Sequence, residues 1–275
     1  MKWDYEFDVV VVGSGNGALT SAICSHDGGA KTLVIEKSNQ YGGTSATSGG
    51  GVWIPNNRYA KAENVDDSDQ DARDYINSVS PEGMIKDELI ETYISEGPKM
   101  IDYLHENSQV KYRNLSHYPD YFPDNPGGKE GNRSMEPEPI NGTILGTDLG
   151  KLREQHPQTA FTMGPINMNF TQVEGQLLLG ALPGWKTLFA KLFTKYILDL
   201  PMRLKWGWKD RRLTMGNAGI ARLVLSLRDR NVDIWTETSM TDLICLLYTS
   251  PSPREVTKSR MPYAAVKRRG GGGGG

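Results

Sequence analysis

The chain has 275 residues, 37% hydrophobic and 23% charged, enough for one large or two ordinary globular domains with a real core. A net charge of −2 supplies no electrostatic footprint for nucleic acid, so a nucleic-acid partner is not expected. Two cysteines, Cys24 and Cys245, and four histidines without ligand spacing indicate neither a disulfide framework nor a zinc site, and the expected setting is reducing and cytoplasmic.

The charged N-terminus runs directly into Val9 to Val12, which leaves no room for a signal peptide. Gly13-Ser14-Gly15-Asn16-Gly17-Ala18 follows, then an amphiphilic stretch and a second β-like run, Thr32 to Ile35, closed by Glu36. Strand, glycine turn, helix and strand in this order are the pattern of a dinucleotide site. Gly13 allows the tight turn, Gly15 lets backbone approach a pyrophosphate, and small Ala18 lets the helix pack close to the sheet. The helix N-terminus, with Ser14 and Gly17 beside it, then faces the phosphates. Glu36 lies 23 residues beyond Gly13, where a carboxylate can accept both hydroxyls of an adenosine ribose. Lys37 follows it directly.

Gly42 to Pro55 is a run of small and hydroxylated residues. Gly43, Thr44, Ser45, Ser48, Gly49 and Gly50 offer backbone N–H groups and short donors to a flat heteroaromatic ring and its side chain; the competing reading is a flexible linker. DVVVVGSGNGALTSA followed by EKSNQYGGTSATSGGGVWIP resembles the FAD-binding start of the fumarate reductase and 3-ketosteroid dehydrogenase superfamily. The resemblance implies FAD rather than NAD. Without a histidine or cysteine beside the run, the expected attachment is non-covalent.

Asp66 to Asp71 reads as a solvated, capped start to a helix over 72–79, because acid suits the helix dipole and no calcium-loop glycine is present. A second helix is predicted over 86–107 from Leu89, Ile90, Tyr93, Ile94, Met100, Ile101 and Leu104, with Pro98 breaking or kinking it. Ser116 to Gly128 is aromatic and proline-rich with no period, a loop that places rings at defined positions. Its Tyr-Pro-Asp-Tyr-Phe-Pro resembles the segment of 3-ketosteroid delta-1-dehydrogenases in which the residue after Pro-Asp is an active-site tyrosine. That residue here is Tyr121; Tyr118 and His117 are weaker candidates. A phenol of ordinary pKa about 10 can handle a proton if neighbours lower it or if it works through a second tyrosine.

Residues 139–173 are loop-rich. From Glu174 to Arg212 the chain becomes apolar on one side, with Leu188, Leu192 and Tyr196 against Lys191 and Lys195. The expected reading is a helix buried on one face; contact with a membrane surface is the alternative. Gly216 and Gly219 open a further helix, and Val232 to Thr236 alternates as a strand. The family resemblance ends near Leu243. Cys245 to Arg254 resembles the in-frame translation of a transposase-based sequencing-library adapter, Ser259 to Pro262 the next adapter block, and Gly270 to Gly275 the run of G called when a read has no template left. The expected organisation is therefore an incomplete FAD-binding domain over 1–244 and a structureless stretch over 245–275, with an exposed sheet edge and no activity from this fragment.

The fold class expected is α/β, a glutathione-reductase-like Rossmann FAD domain with a central parallel sheet. For a complete protein the resemblance implies oxidation of a 3-ketosteroid, a hydride passing from carbon 1 to flavin N5 and a proton leaving carbon 2, with an external electron acceptor. A delta-4 steroid dehydrogenase, a fumarate-reductase-like flavoprotein and an inert FAD-binding fragment are the alternatives.

Overall fold

The computed structural model describes residues 4–163, 166–206, 210–243 and 264–266. Strand β1 (Tyr5–Phe7) leads into β2 (Val9–Val12), helix α1 (Asn16–Asp27) and β3 (Thr32–Ile35). β2 and β3 run parallel, Val9 opposite Thr32 and Val12 opposite Ile35. A parallel pair needs a crossover, and α1 supplies it. All four residues of β3 are buried, as a central strand of a parallel sheet requires.

Helix α2 (Gly43–Thr47), β4 (Val52–Trp53), α3 (Arg58–Ala62), α4 (Asp69–Val79) and α5 (Asp87–Asn107) follow. Ser68 caps α4 by accepting the Asp71 N–H, as the acidic run suggested. Asp67 departs from the expected solvated start: its side chain is buried against Arg133, because a guanidinium in the interior requires a carboxylate partner. Pro98 does not break α5, which continues for 21 residues. Ile90, Ile94, Ile101 and Leu104 are buried along its length, and this packing outweighs the lost backbone bond.

Strands β5 (Tyr112–Asn114) and β6 (Ser134–Pro137) form an antiparallel sheet with β4 in the order β4-β6-β5. Within 139–173 lie β7 (Ile140–Asn141), a 3₁₀ segment over Gly142–Lys151, and an antiparallel pair, β8 (Ala160–Met163) and β9 (Ile166–Asn169). Helix α6 (Gln172–Leu179) begins with a reciprocal Thr171–Glu174 capping box. Helices α7 (Trp185–Leu198) and α8 (Leu200–Trp206) come next. Leu192 and Tyr196 pack on Met168 of β9, so the amphipathic stretch buries its apolar face against protein. Among the described residues no helix is long and apolar enough to cross a membrane.

Strand β10 (Arg212–Leu213) pairs with β7, and helix α9 (Met215–Asp229) is buried from Met215 through Leu227. Asn231, at φ +55°, turns the chain out of the helix into β11 (Ile234–Trp235). That strand is shorter than the alternation over 232–236 suggested. It joins the far side of β3 in parallel, giving the order β11-β3-β2. Beyond Leu243, only β12 (Ala264–Val266) is described, antiparallel to β1. For these three residues the expectation of no structure is corrected: β1 presents a row of unpaired backbone groups, and a short run of small apolar residues can satisfy it. The remainder of 244–275 lies outside the described residues.

Candidate functional site

Gly13 leaves β2 at φ +98° and donates its N–H to the Ile35 carbonyl at 2.7 Å, which turns the chain across the C-terminal ends of β2 and β3. A side chain would be strained in that conformation. Helix α1 then starts with Gly15 as its N-cap, no side-chain cap and no acid in its first turn. The Asn16 N–H is taken by Ser45 Oγ at 3.1 Å. The space beside Gly17 is open, and Gly17 is exposed. A helix N-terminus whose N-cap residue offers no side-chain acceptor, and which is open at Gly17, is a donor set suited to a diphosphate. Ala18, on the inner side, packs against the main core.

Glu36 ends β3 and is buried. Its Oε2 accepts the Ser14 hydroxyl at 2.5 Å and its Oε1 the Ser38 N–H at 2.9 Å, while Ser14 Oγ accepts the Gly42 N–H at 2.9 Å. Ser14, only 1% exposed, therefore ties the glycine turn to the acid and to the start of the small-residue run. A carboxylate has about four lone-pair sites, so Glu36 keeps acceptor capacity for ribose hydroxyls. The sequence placed Ser14 among the cofactor residues without identifying this bridge. Lys37 is exposed immediately beyond.

The small-residue run is built rather than flexible, so the linker reading does not hold. Gly43 and Thr44 in the first turn of α2 have open or exposed surroundings. Ser48 Oγ donates to the Ser45 carbonyl at 2.8 Å and accepts the Gly50 N–H at 3.1 Å. A Cβ on Gly49 would lie 2.8 Å from Gln172 Nε2, and one on Gly50 would lie 2.5 Å from the Gly216 nitrogen. The missing side chains at these two positions make room for protein. At Gly49 the neighbour is α6, and at Gly50 it is helix α9, which also holds the run: the Gly216 N–H donates to the Ser48 carbonyl at 3.1 Å, and Asn217 Nδ2 donates to the Ala46 carbonyl at 2.7 Å. Met215 adopts φ +50° where α9 enters this contact, a conformation a non-glycine residue holds only when its surroundings enforce it. From the sequence, Gly216 and Gly219 indicated only the opening of a helix; their spacing carries no sign of which backbone they meet.

The run passes through β4 to the aromatic loop. Trp53, at the end of β4, donates its Nε1–H to Asp120 Oδ1 at 2.6 Å. Asp120 Oδ2 also accepts from the Lys129 N–H at 3.0 Å and from Arg133 Nη1 at 2.9 Å. Arg133 turns its other edge to Asp67, Nη2 to Oδ1 at 2.7 Å and Nε to Oδ2 at 3.1 Å. Tyr121, the next residue after Asp120, is 85% exposed. Tyr118 is half-buried; burial first, and then the neighbouring Tyr121, push its phenol pKa up. His117 is exposed.

A βαβ unit with an open glycine turn, an acid closing the second strand and a rigid small-residue run defines a dinucleotide-binding fold of the flavoprotein type. The chain belongs to the FAD binding domain family, which it matches over residues 8–257, and its cofactor is FAD. It is 35% identical over 240 residues to the 3-oxosteroid 1-dehydrogenase of Mycolicibacterium smegmatis, covering 86% of this chain and 40% of that protein. A 4-oxocyclohexanecarboxylate 2-dehydrogenase of Sinomonas cyclohexanicum is 38% identical over 157 residues, 57% of this chain and 27% of the relative. The crystal structure of 3-ketosteroid delta1-dehydrogenase from Sterolibacterium denitrificans, in complex with 1,4-androstadiene-3,17-dione, superimposes with a TM-score of 0.80 at 39% identity, over 86% of this chain and 41% of that one. The chain thus spans about 40% of the length of these steroid dehydrogenases.

Proposed function

We propose that this chain is the cofactor-holding part of a flavin-dependent dehydrogenase that oxidises a CH–CH bond beside a ring ketone, with a 3-ketosteroid as substrate and an external electron acceptor. The observation that carries this reading is the continuous path from the glycine turn, through the small-residue run and Trp53, to the loop bearing Tyr121. In this reading the first turn of α1 holds the diphosphate, Glu36 the ribose, and residues 43–50 the flavin side. Bound FAD supplies the hydride acceptor. Tyr121 assists removal of the proton from the neighbouring carbon, with Tyr118, whose phenol pKa burial pushes up, as the second tyrosine near it. Residues 1–244 form the FAD-binding part, and further residues of a complete protein supply the remaining groups around the ketone. A smaller cyclic ketone is the second reading, favoured by the identity to the Sinomonas enzyme. Turnover of the complete protein on a 3-ketosteroid and on 4-oxocyclohexanecarboxylate, measured side by side, decides between them; absence of turnover on both overturns the proposal.

The ribose assignment has its own test. Glu36→Ala removes a charged acceptor and should weaken FAD binding by about 1.5–3 kcal/mol. Ser14→Ala, which loses the bridge and leaves the carboxylate, serves as the control for local disturbance. Flavin titration of the Glu36 variant with unchanged affinity would show that the ribose lies elsewhere.

For residues 245–275 we propose an origin in adapter sequence. Amplification of the source DNA across codons 235 to 260 should recover a frame that departs from the present one after Leu243. Recovery of the present codons would refute that origin.

A further inference from the structure

We propose that Asp67, Arg133, Asp120 and Trp53 are positioning residues for Tyr121, a proposal that rests on the reading of Tyr121 as the proton-handling group. A solvent-facing loop ordinarily needs no buried ions. Here the side chains of Arg133, Asp67 and Asp120 are only 1%, 5% and 2% exposed, and Asp120 immediately precedes a tyrosine that is 85% exposed. Stability is a weak reason for such a cluster, since apolar residues of similar volume commonly serve as well. What an ion chain adds is direction: a guanidinium fork and two carboxylates fit one another in few geometries.

Each member is held from a different element. Asp67 Oδ2 accepts the Asn56 N–H at 2.8 Å and its Oδ1 the Ser68 N–H at 3.1 Å, which fixes it between β4 and α4. The Arg133 guanidinium lies 5.5 Å from the Trp53 ring centroid and 5.7 Å from that of Tyr75. Asp120 is fixed through its carboxylate by Trp53, Lys129 and Arg133, and its backbone N–H donates to the Lys129 carbonyl at 2.9 Å. On the other side of Tyr121, the Phe122 N–H donates to Tyr75 Oη at 3.3 Å. The backbone is thus held on both sides of Tyr121 while the phenol remains free to meet substrate. Trp53 also closes β4, the strand that leaves the flavin run, so one indole N–H couples the two halves of the site.

Trp53→Phe removes that single donor and keeps an aromatic ring in place, and Asp67→Asn acts on Tyr121 only through Arg133. Both are made in the complete protein with 3-fluorotyrosine incorporated, the Tyr121 resonance being assigned by its loss in Tyr121→Phe. We expect both variants to retain FAD, to shift or broaden the Tyr121 fluorine resonance, and to lower kcat by about 10-fold to 100-fold with little change in KM. Wild-type resonance and kcat in both variants, with only a lower melting temperature, would overturn the proposal, as would a fall in kcat with an unmoved resonance. A shifted resonance with unchanged kcat would support the positioning role and overturn the role given to Tyr121 itself, so the two readings fail separately. If Asp67→Asn does not fold, Trp53→Phe alone decides on the same outcomes.

Discussion

Tyr121→Phe in the complete protein should lower turnover on a 3-ketosteroid by about 100-fold or more while leaving the flavin absorbance spectrum unchanged. The substitution removes one hydroxyl from a side chain that is 85% exposed, so the fold loses almost nothing. Beside it, burial first and then Tyr121 itself push the phenol pKa of Tyr118 up. A group that is dispensable for folding and yet mounted on an anchored backbone should show its whole effect in the chemical step. Stopped-flow reduction of the bound flavin by substrate isolates that step from reoxidation. Reduction at the wild-type rate would mean that the loop contributes packing and no proton transfer.

Gly216→Ala should destabilise the protein by about 3 kcal/mol or more, at or beyond the upper end of ordinary overpacking. A Cβ at this position would collide with the Ser45 carbonyl oxygen and come within 2.8 Å of the Ser48 carbonyl oxygen. Both are backbone atoms of the flavin run, so neither can rotate away. The run itself would have to move off α9, breaking the Gly216 N–H bond to Ser48 and straining the Asn217 bond to Ala46. Denaturant unfolding should therefore show a lowered midpoint together with weakened FAD retention. Gly17→Ala is the contrasting variant: nothing lies within 4 Å of its Cβ position, and the restricted unfolded chain should leave stability unchanged or raise it by about 0.4–1 kcal/mol. Equal stability of the Gly216 and Gly17 variants would show that α9 does not hold the run.

Local chemistry made the cofactor end of the molecule legible. Val9 to Val12, Gly13 with its positive φ, the helix after it and Glu36 at the end of β3 all follow from residue type and spacing over fewer than 30 positions, and such short-range constraints are written directly in a sequence. The helix over 86–107 and the Tyr121 loop were readable for the same reason. Contacts between distant segments were not. Ser14 bridging Glu36 to Gly42, Gly216 seated against Gly50, and Arg133 drawing Asp67 and Asp120 into the interior each depend on a particular three-dimensional meeting. An acidic run beginning at Asp66 looks solvated until the fold brings a guanidinium to it, and a helix-opening glycine looks interchangeable with alanine until another backbone occupies the space of its methyl. Residue type and spacing determined that this chain holds a dinucleotide; tertiary packing decided how rigidly, because burial of charge and close backbone approach are settled only when segments far apart in sequence meet.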